Sequence, residues 1–260
     1  MKSKGIFETK RKDNSTYYRV SIYVNKKHIS LGSFDIFEDA VTCYDSANKI
    51  LDDAEHLFTP DNYDSELKIS FEKYIVLINY RDNKLYIANP IYLKPNFFEY
   101  YITKDTILKF DKDDLFYYSD KKISKRGNHY YCHEFGLQIN INDRYGIPPY
   151  AVIGRDYIFK NGDTTDYRYS NIEIVNKYHG VSKVNKKGKI VYEVKVHVNG
   201  YLKVGDYKDE ITAAIAYNKA CDILSKNADK GFISNYPDIN PKEYATIYSE
   251  IQIPRKFYDL

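Results

Sequence analysis

The sequence predicts an α+β protein in which two small modules, each a three-stranded antiparallel sheet with one helix, flank a strand-rich middle segment. Three observations predict this. One stretch occurs twice, with Gly5-Ile6 falling on Gly180-Val181 and Tyr18–Asn25 falling on Tyr192–Asn199. Inside each copy an alternation of period two gives way to helical spacing. Between the copies, short runs of β-forming residues are punctuated by turn residues. Two copies so far apart mark a duplicated module and not a solenoid, so the residues between them form a separate unit.

In the first copy Tyr18, Val20, Ile22 and Val24 alternate with Arg19, Ser21 and Tyr23, the pattern of a strand with one buried face. Tyr192, Val194, Val196 and Val198 repeat it against Glu193, Lys195 and His197. Asn25-Lys26-Lys27 and Asn199-Gly200 read as hairpin turns. A third strand follows, over His28–Ser33 and Tyr201–Val204. Then Phe37, Ala40, Tyr44, Ala47 and Leu51 recur at helical spacing, as do Ala213, Tyr217, Ala220 and Leu224. Asp35 with Glu38 reads as an acidic capping box. The small alanines let each helix lie close on its sheet.

The first helix should fray near Asp52-Asp53, and Phe58–Ser65 reads as a turn-rich linker. Strands are expected at Tyr74–Tyr80, Lys84–Ala88, Tyr100–Thr103, Tyr117–Asp120, His129–His133 and Leu137–Ile141. The expected boundaries are a first module over 1–58, a linker over 59–67, a middle domain over 68–176, a second module over 177–240 and a tail over 241–260.

Charge is sorted along the chain. Residues 1–34 carry eight Lys or Arg against two Asp or Glu, and residues 175–208 also carry eight against two. Residues 35–66 carry one Lys against ten acids. A net charge of only +3 therefore hides two basic sheets, the footprint of a nucleic-acid partner. A single charge run is usually a solvated surface, but the recurrence in both copies favours nucleic acid. Three scattered cysteines, Cys43, Cys132 and Cys221, suit neither a disulfide framework nor a zinc site, and imply a reducing, intracellular setting. Neither a signal-peptide region nor an apolar run of membrane-spanning length is present, so a soluble protein without a membrane partner is expected.

Each copy resembles the plant-type AP-two/ERF DNA-binding domain. The resemblance covers roughly residues 4–52 and 178–237 and rests on several matching stretches. These are the Gly-Ile/Val start, the alternating second strand, Leu31-Gly32-Ser33-Phe34, the helix residues Glu38-Asp39-Ala40, Tyr44-Asp45 and Ala47, and the closing Asn235-Tyr236-Pro237. In that family the sheet enters the major groove, which admits a β-ribbon as readily as a helix. The resemblance implies contacts to double-stranded DNA from Arg19, Ser21, Tyr23, His28 and Ser30, and from Glu193, Lys195, His197, Tyr201 and Lys203. Lys10, Arg11 and Lys12 in copy one, and Lys183, Lys186, Lys187 and Lys189 in copy two, complete the expected set. The family's arginine-rich first strand and its tryptophans are absent, so no target sequence carries over.

The stretch Arg155–Val175 resembles the second half of an HNH nuclease motif, through Asn161-Gly162-Asp163, Asp166, Arg168, Ser170 and Asn171. Nuclease followed by AP-two/ERF domain is an order similar to that of mobile phage and viral HNH endonucleases. The resemblance makes the middle segment an HNH-like ββα domain. Hydrolysis there would need a histidine as base and ligands for a divalent metal. Phe159, preceded by Ile158, stands at the second histidine position (a loop longer by two would place Asp156-Tyr157 there), and Leu137-Gln138-Ile139 stands where the first is expected. The sequence therefore predicts a DNA-binding protein without catalytic residues, metal or cofactor, acting in regulation or genome organisation. Self-association or other DNA-bound proteins are further partners. Two alternatives remain: a metal-dependent endonuclease using His129 or His133, and a protein-interaction module with Tyr-rich surfaces.

Overall fold

The computed structural model describes residues 4–227 and 231–259. The outermost residues of the expected first module and tail, 1–3 and 260, lie outside the described residues. The chain is α+β, and its three-stranded sheets are antiparallel throughout. It divides into two compact units, residues 1–141 with 163–171 and residues 142–162 with 172–260. These cut across the segment expected as a single middle domain.

In the first unit β1 (Ile6–Lys10), β2 (Thr16–Val24) and β3 (Lys27–Phe34) form a sheet in that order. Asn25 and Lys26, at φ 44° and 65°, make the two-residue turn between β2 and β3. A two-residue turn with both positions left-handed matches the twist of the flanking strands. Helix α1 (Phe37–Asp52) covers one face, burying Ala40, Cys43, Ala47 and Ile50 against Val20, Ile22, Ile29 and Leu31. The alternation in β2 thus reads correctly. The capping box does not form: the N-cap of α1 is Ile36, without a side-chain cap, and Asp35 instead pairs with Arg11. Asp209 does cap in copy two, accepting from the Thr212 amide at 2.7 Å.

The largest departure from expectation is α2 (Phe71–Asn83), where a strand was expected over Tyr74–Tyr80. Ser70 caps it by accepting from the Lys73 amide, and all eight residues from Tyr74 to Arg81 are buried. A helix buried on every side shows neither a period of two nor one of 3.6, and its β-branched Ile-Val and Ile residues imitate a strand. Lys84 closes the helix in a left-handed conformation, φ 56°, so Lys84–Ala88 forms no strand either. The expected linker is part of the core. Phe58, Tyr63 and Leu67 pack against it, and the Tyr74 hydroxyl bonds Thr59 O at 3.0 Å and Asn62 Oδ1 at 2.8 Å. Asp53 does not fray but pairs with Arg81 at 2.6 Å, both side chains almost fully buried.

The unit continues with the sheet β4 (Ile91–Leu93), β5 (Phe97–Thr103) and β6 (Thr106–Asp111), the short helix α3 (Leu115–Tyr118), and the sheet β7 (Ile123–Arg126), β8 (His129–Glu134) and β9 (Leu137–Asn140). Tyr117–Asp120, expected as a strand, is this helical turn and its exit. Tyr118 stacks on Phe110 with ring centroids 4.1 Å apart.

The second unit opens within the turn of helix α4 (Ile141–Arg144) and includes the hairpin of β10 (Tyr157–Phe159) and β11 (Ile172–Ile174). Then β12 (Val181–Lys186), β13 (Lys189–His197) and β14 (Tyr201–Tyr207) form the second sheet, covered by α5 (Glu210–Asn227). Helix α6 (Pro241–Glu250) follows, and the segment expected as a tail is, over its described residues 241–259, part of the second unit: Ile251, Ile253 and Phe257 are buried in the core with α5. Lys219 ties this segment down by donating to Tyr248 O and Ile251 O, each at 2.6 Å. Among the described residues no helix is long and apolar enough to cross a membrane.

Candidate nucleic-acid interface

The two sheets share one local device. The second strand breaks register after Val20 and after Val194, so that Val20 faces Gly32 and Val194 faces Gly205. Beside each bulge the chain enters through a glycine with positive φ, 81° at Gly5 and 70° at Gly180. The Ser21 amide donates to Gly5 O at 2.9 Å, and the Lys195 amide to Gly180 O at 2.8 Å. A Cβ at either glycine would overlap the ring of Tyr44 or Tyr217 and come within 2.6 Å of a strand carbonyl. Bulges bend a strand and re-aim its side chains. Here they set the curvature of the face opposite the helix.

On that face of the first unit the register pairs Phe7 with Arg19, Arg19 with Ser33, Ser21 with Ser30 and Tyr23 with His28. Four of the five expected contact residues, Arg19, Ser21, His28 and Ser30, line one hollow of about 290 Å³ together with Phe7. Tyr23 stands beyond it, 70% exposed. Ser21 is a correction: it points to this face but is only 7% exposed, because the bulge sinks it into the floor of the hollow. Lys10 and Lys12 are exposed at the sheet end. Arg11 is engaged, paired with Asp35 and lying over the Tyr17 ring at 5.0 Å.

The second sheet is less basic on this face than its lysine count suggests. Glu193 pairs with Lys195 at 2.9 Å, Lys186 at 3.3 Å and Lys203 at 3.4 Å, while Asp206 holds Lys186 and Lys203 at 2.7 Å each. Three lysines of the expected contact set, Lys186, Lys195 and Lys203, thus already neutralise two carboxylates, leaving one net charge. Hydrogen bonding from Lys195 and Lys186 outweighs desolvation and holds Glu193 below its ordinary range, and Lys186 and Lys203 do the same to Asp206. Glu193 is an anion around which three lysines are arranged. Lys183 pairs with Tyr192 in the register of the opposite face, whereas Lys187 and Lys189 are exposed at the hairpin turn.

Within the second unit, Tyr150, Arg155 and Asp156 flank this face. They line a pocket of about 350 Å³ together with Lys195, His197 and Tyr201 from the sheet. His179 lines it as well, and neither it nor Tyr150 or Arg155 is an expected site residue. Asp156, almost fully buried, fixes the wall by accepting from the Val152 amide at 2.8 Å, Asn176 Nδ2 at 3.1 Å and the Arg155 guanidinium at 2.6 Å. Burial would raise this carboxyl, but those hydrogen bonds prevail and lower it. His179 is held by Asn235 through its amide at 2.7 Å and its carbonyl at 3.0 Å, and its Nδ1 lies 2.7 Å from the Tyr217 hydroxyl. Burial and the nearby Arg155 charge lower its pKa, favouring neutral imidazole. Arg155 opened the HNH-like stretch. Tyr150 and His179 gave no signal, because their place depends on distant packing.

Asp163, Asp166, Arg168 and Asn171 of the HNH-like stretch are bonded within their loop and to Lys109 of β6. Asp163 accepts from the Thr165 amide and hydroxyl at 2.9 and 2.6 Å and from Lys109 Nζ at 2.9 Å. Desolvation opposes these bonds, yet they hold its pKa at about 2. Asp166, 0% exposed, takes Arg168 Nε at 2.8 Å, and Asn171 Nδ2 donates to Asp166 O at 2.9 Å. Phe159 is buried and Gln138 is paired with His133 across β8 and β9. His133 Nε2 lies 2.6 Å from Ser124 Oγ, and His129 is exposed beside the turn after β7. Among the described residues no three His, Cys, Asp or Glu side chains are grouped so as to hold a metal. Comparisons with protein-family models, curated proteins and solved structures found no match to this chain.

Proposed function

We propose that this chain binds double-stranded DNA through the helix-free faces of its two sheets, without hydrolysing it, in regulation or genome organisation. The observation that carries the reading is the arrangement on β2 and β3. One face is sealed by α1, and the other presents Arg19 at the rim of a hollow with His28 and Ser30, beside exposed Tyr23. An arginine fork can take both acceptors of a guanine edge, while serine and histidine read either donors or acceptors. The AP-two/ERF resemblance supports the same face. The HNH-like residues support a scaffold in place of a catalyst, because the side chains that survive are engaged in loop bonds and Phe159 can neither ligate nor accept a proton.

The test is duplex binding over a salt series with a nicking assay alongside. Affinity should fall with salt, log K dropping by about 0.9 per phosphate contact per log unit. Arg19→Ala should cost about 1–3 kcal/mol and relax preference at one base position. No cleavage is expected with Mg²⁺ or Mn²⁺. Absence of duplex binding would refute the reading, and nicking abolished by His129→Ala or His133→Ala would replace it with a nuclease.

A further inference from the structure

We infer that the pocket of the second unit binds one unstacked nucleotide, base and phosphate together, so that the two copies of the module have diverged in what they grip. The inference rests on the nucleic-acid reading above and names the ligand of one of its two faces. In the first unit the hollow is lined by residues of the sheet alone. In the second unit the equivalent positions, Lys195 for Ser21 and Tyr201 for His28, lie in a pocket to which Tyr150, Arg155 and Asp156 add a wall from outside the sheet. Such a recess can take a nucleotide turned out of the stack beside a duplex that the rest of the sheet contacts. About 350 Å³ falls at the small end of the roughly 300–1,000 Å³ usual for small-molecule sites, room for one nucleotide and not for a base pair.

The lining supplies both halves of that ligand. Tyr201 is 72% exposed, with His197 edge-on to it at a centroid distance of 5.1 Å, and offers a ring on which any base can stack. Tyr150, edge-on to His179 at 4.5 Å, gives a second aromatic surface. Arg155 and Lys195 supply two cations. Each has one carboxylate neighbour, Asp156 and Glu193, that fixes its position while more than 40% of its side chain stays exposed. Fixed cations beside exposed rings are the pairing that single-stranded sites use, the charge tracking phosphate and the rings taking bases. An inorganic anion would leave the rings idle, and an apolar ligand would desolvate two cations without adding an acceptor for them.

The ligand has two sources, a free mononucleotide or an unpaired nucleotide within DNA, and the experiment separates them. The full-length protein is titrated with dAMP, with deoxyadenosine, with inorganic phosphate, and with two duplexes that differ by one extrahelical adenosine. Tyr201→Ala and Lys195→Gln test the pocket, and Lys242→Gln, at an exposed position of α6, is the control. Expected are binding of dAMP well above that of deoxyadenosine or phosphate, a loss of roughly tenfold or more in Tyr201→Ala, and no change in Lys242→Gln. The bulged duplex should bind about tenfold tighter than the paired one, and Tyr201→Ala should erase the difference. Binding of dAMP without a preference between duplexes assigns the pocket to free nucleotides. A duplex preference without dAMP binding assigns it to DNA. If dAMP fails to bind and both duplexes bind equally, the pocket inference falls while the DNA reading stands. If neither duplex binds, the DNA reading falls, and the dAMP titration still decides the pocket. Binding of dAMP that is unmoved by Tyr201→Ala would also overturn the inference.

Discussion

Gly5 and Gly180 close their sheets at the same point, and each lacks a side chain for two reasons. The positive φ disfavours any L-residue by about 1–2 kcal/mol, and the ring of Tyr44 or Tyr217 fills the space a Cβ would need. The two terms can be separated. Gly188 has a similar φ of 80° but nothing near its missing Cβ. Gly188→Ala should therefore cost only the conformational term, whereas Gly5→Ala and Gly180→Ala should each cost about 3 kcal/mol or more, since overpacking adds about 1–3 kcal/mol. Urea denaturation of the three variants checks this. Equal costs at all three positions would mean that the tyrosine rings yield freely.

At the scale of the strand, the three lysines around Glu193 and Asp206 make the second sheet's charge conditional on its own acids. Side chains in this network are about 15–45% exposed, so its contribution to stability is small and solvent-screened. Its effect on binding is larger. Glu193→Gln should leave folding nearly unchanged, tighten duplex binding and steepen the salt dependence by about one phosphate contact, ~0.9 in slope. Binding measured at several salt concentrations decides it, and a weaker complex would mean that Glu193 positions lysines the DNA needs. None of this was legible in the count of eight basic residues against two acidic, because which charges meet depends on cross-strand register. The strands themselves were legible: Val20, Ile22, Val194 and Val196 alternate cleanly, one face of each strand being buried and the other not. Helix α2 was not, since burial on all sides removes the contrast from which a period is read.

For the whole molecule, duplication was plain in the sequence and the partition was not. Residues 163–171 complete the first unit from a distance. The Lys109 amide donates to Thr165 O at 3.0 Å, the Tyr167 amide to Lys109 O at 2.8 Å and the Tyr169 amide to Asp111 Oδ2 at 2.7 Å, and Tyr167 lies buried against Phe110 at 5.9 Å between ring centroids. A sequence motif marked this loop, and its bonds to Lys109 and Asp111 are those of an inserted edge. A fragment ending at Ile141 should therefore be less stable than one ending at Asn171, by about 4 kcal/mol from one buried aromatic and several hydrogen bonds. It should also bind a hydrophobic dye at the uncovered Phe110. Equal melting temperatures for fragments 1–141 and 1–171 would show that the loop merely rests there.

The same crossing of the chain sets an order on synthesis. The first unit cannot be finished when Ile141 leaves the ribosome, because its last stretch ends 30 residues later at Asn171. At roughly 5–20 residues per second that is a delay of about 2–6 s, long beside the microseconds in which hairpins close. For those seconds the Phe110 surface stands open on a nascent chain whose hairpin flanks, residues 142–162, belong to a unit not yet made. The nascent chain is thus most exposed to chaperones, and to mispairing with its neighbours on a polysome, between the emergence of residue 141 and that of residue 171.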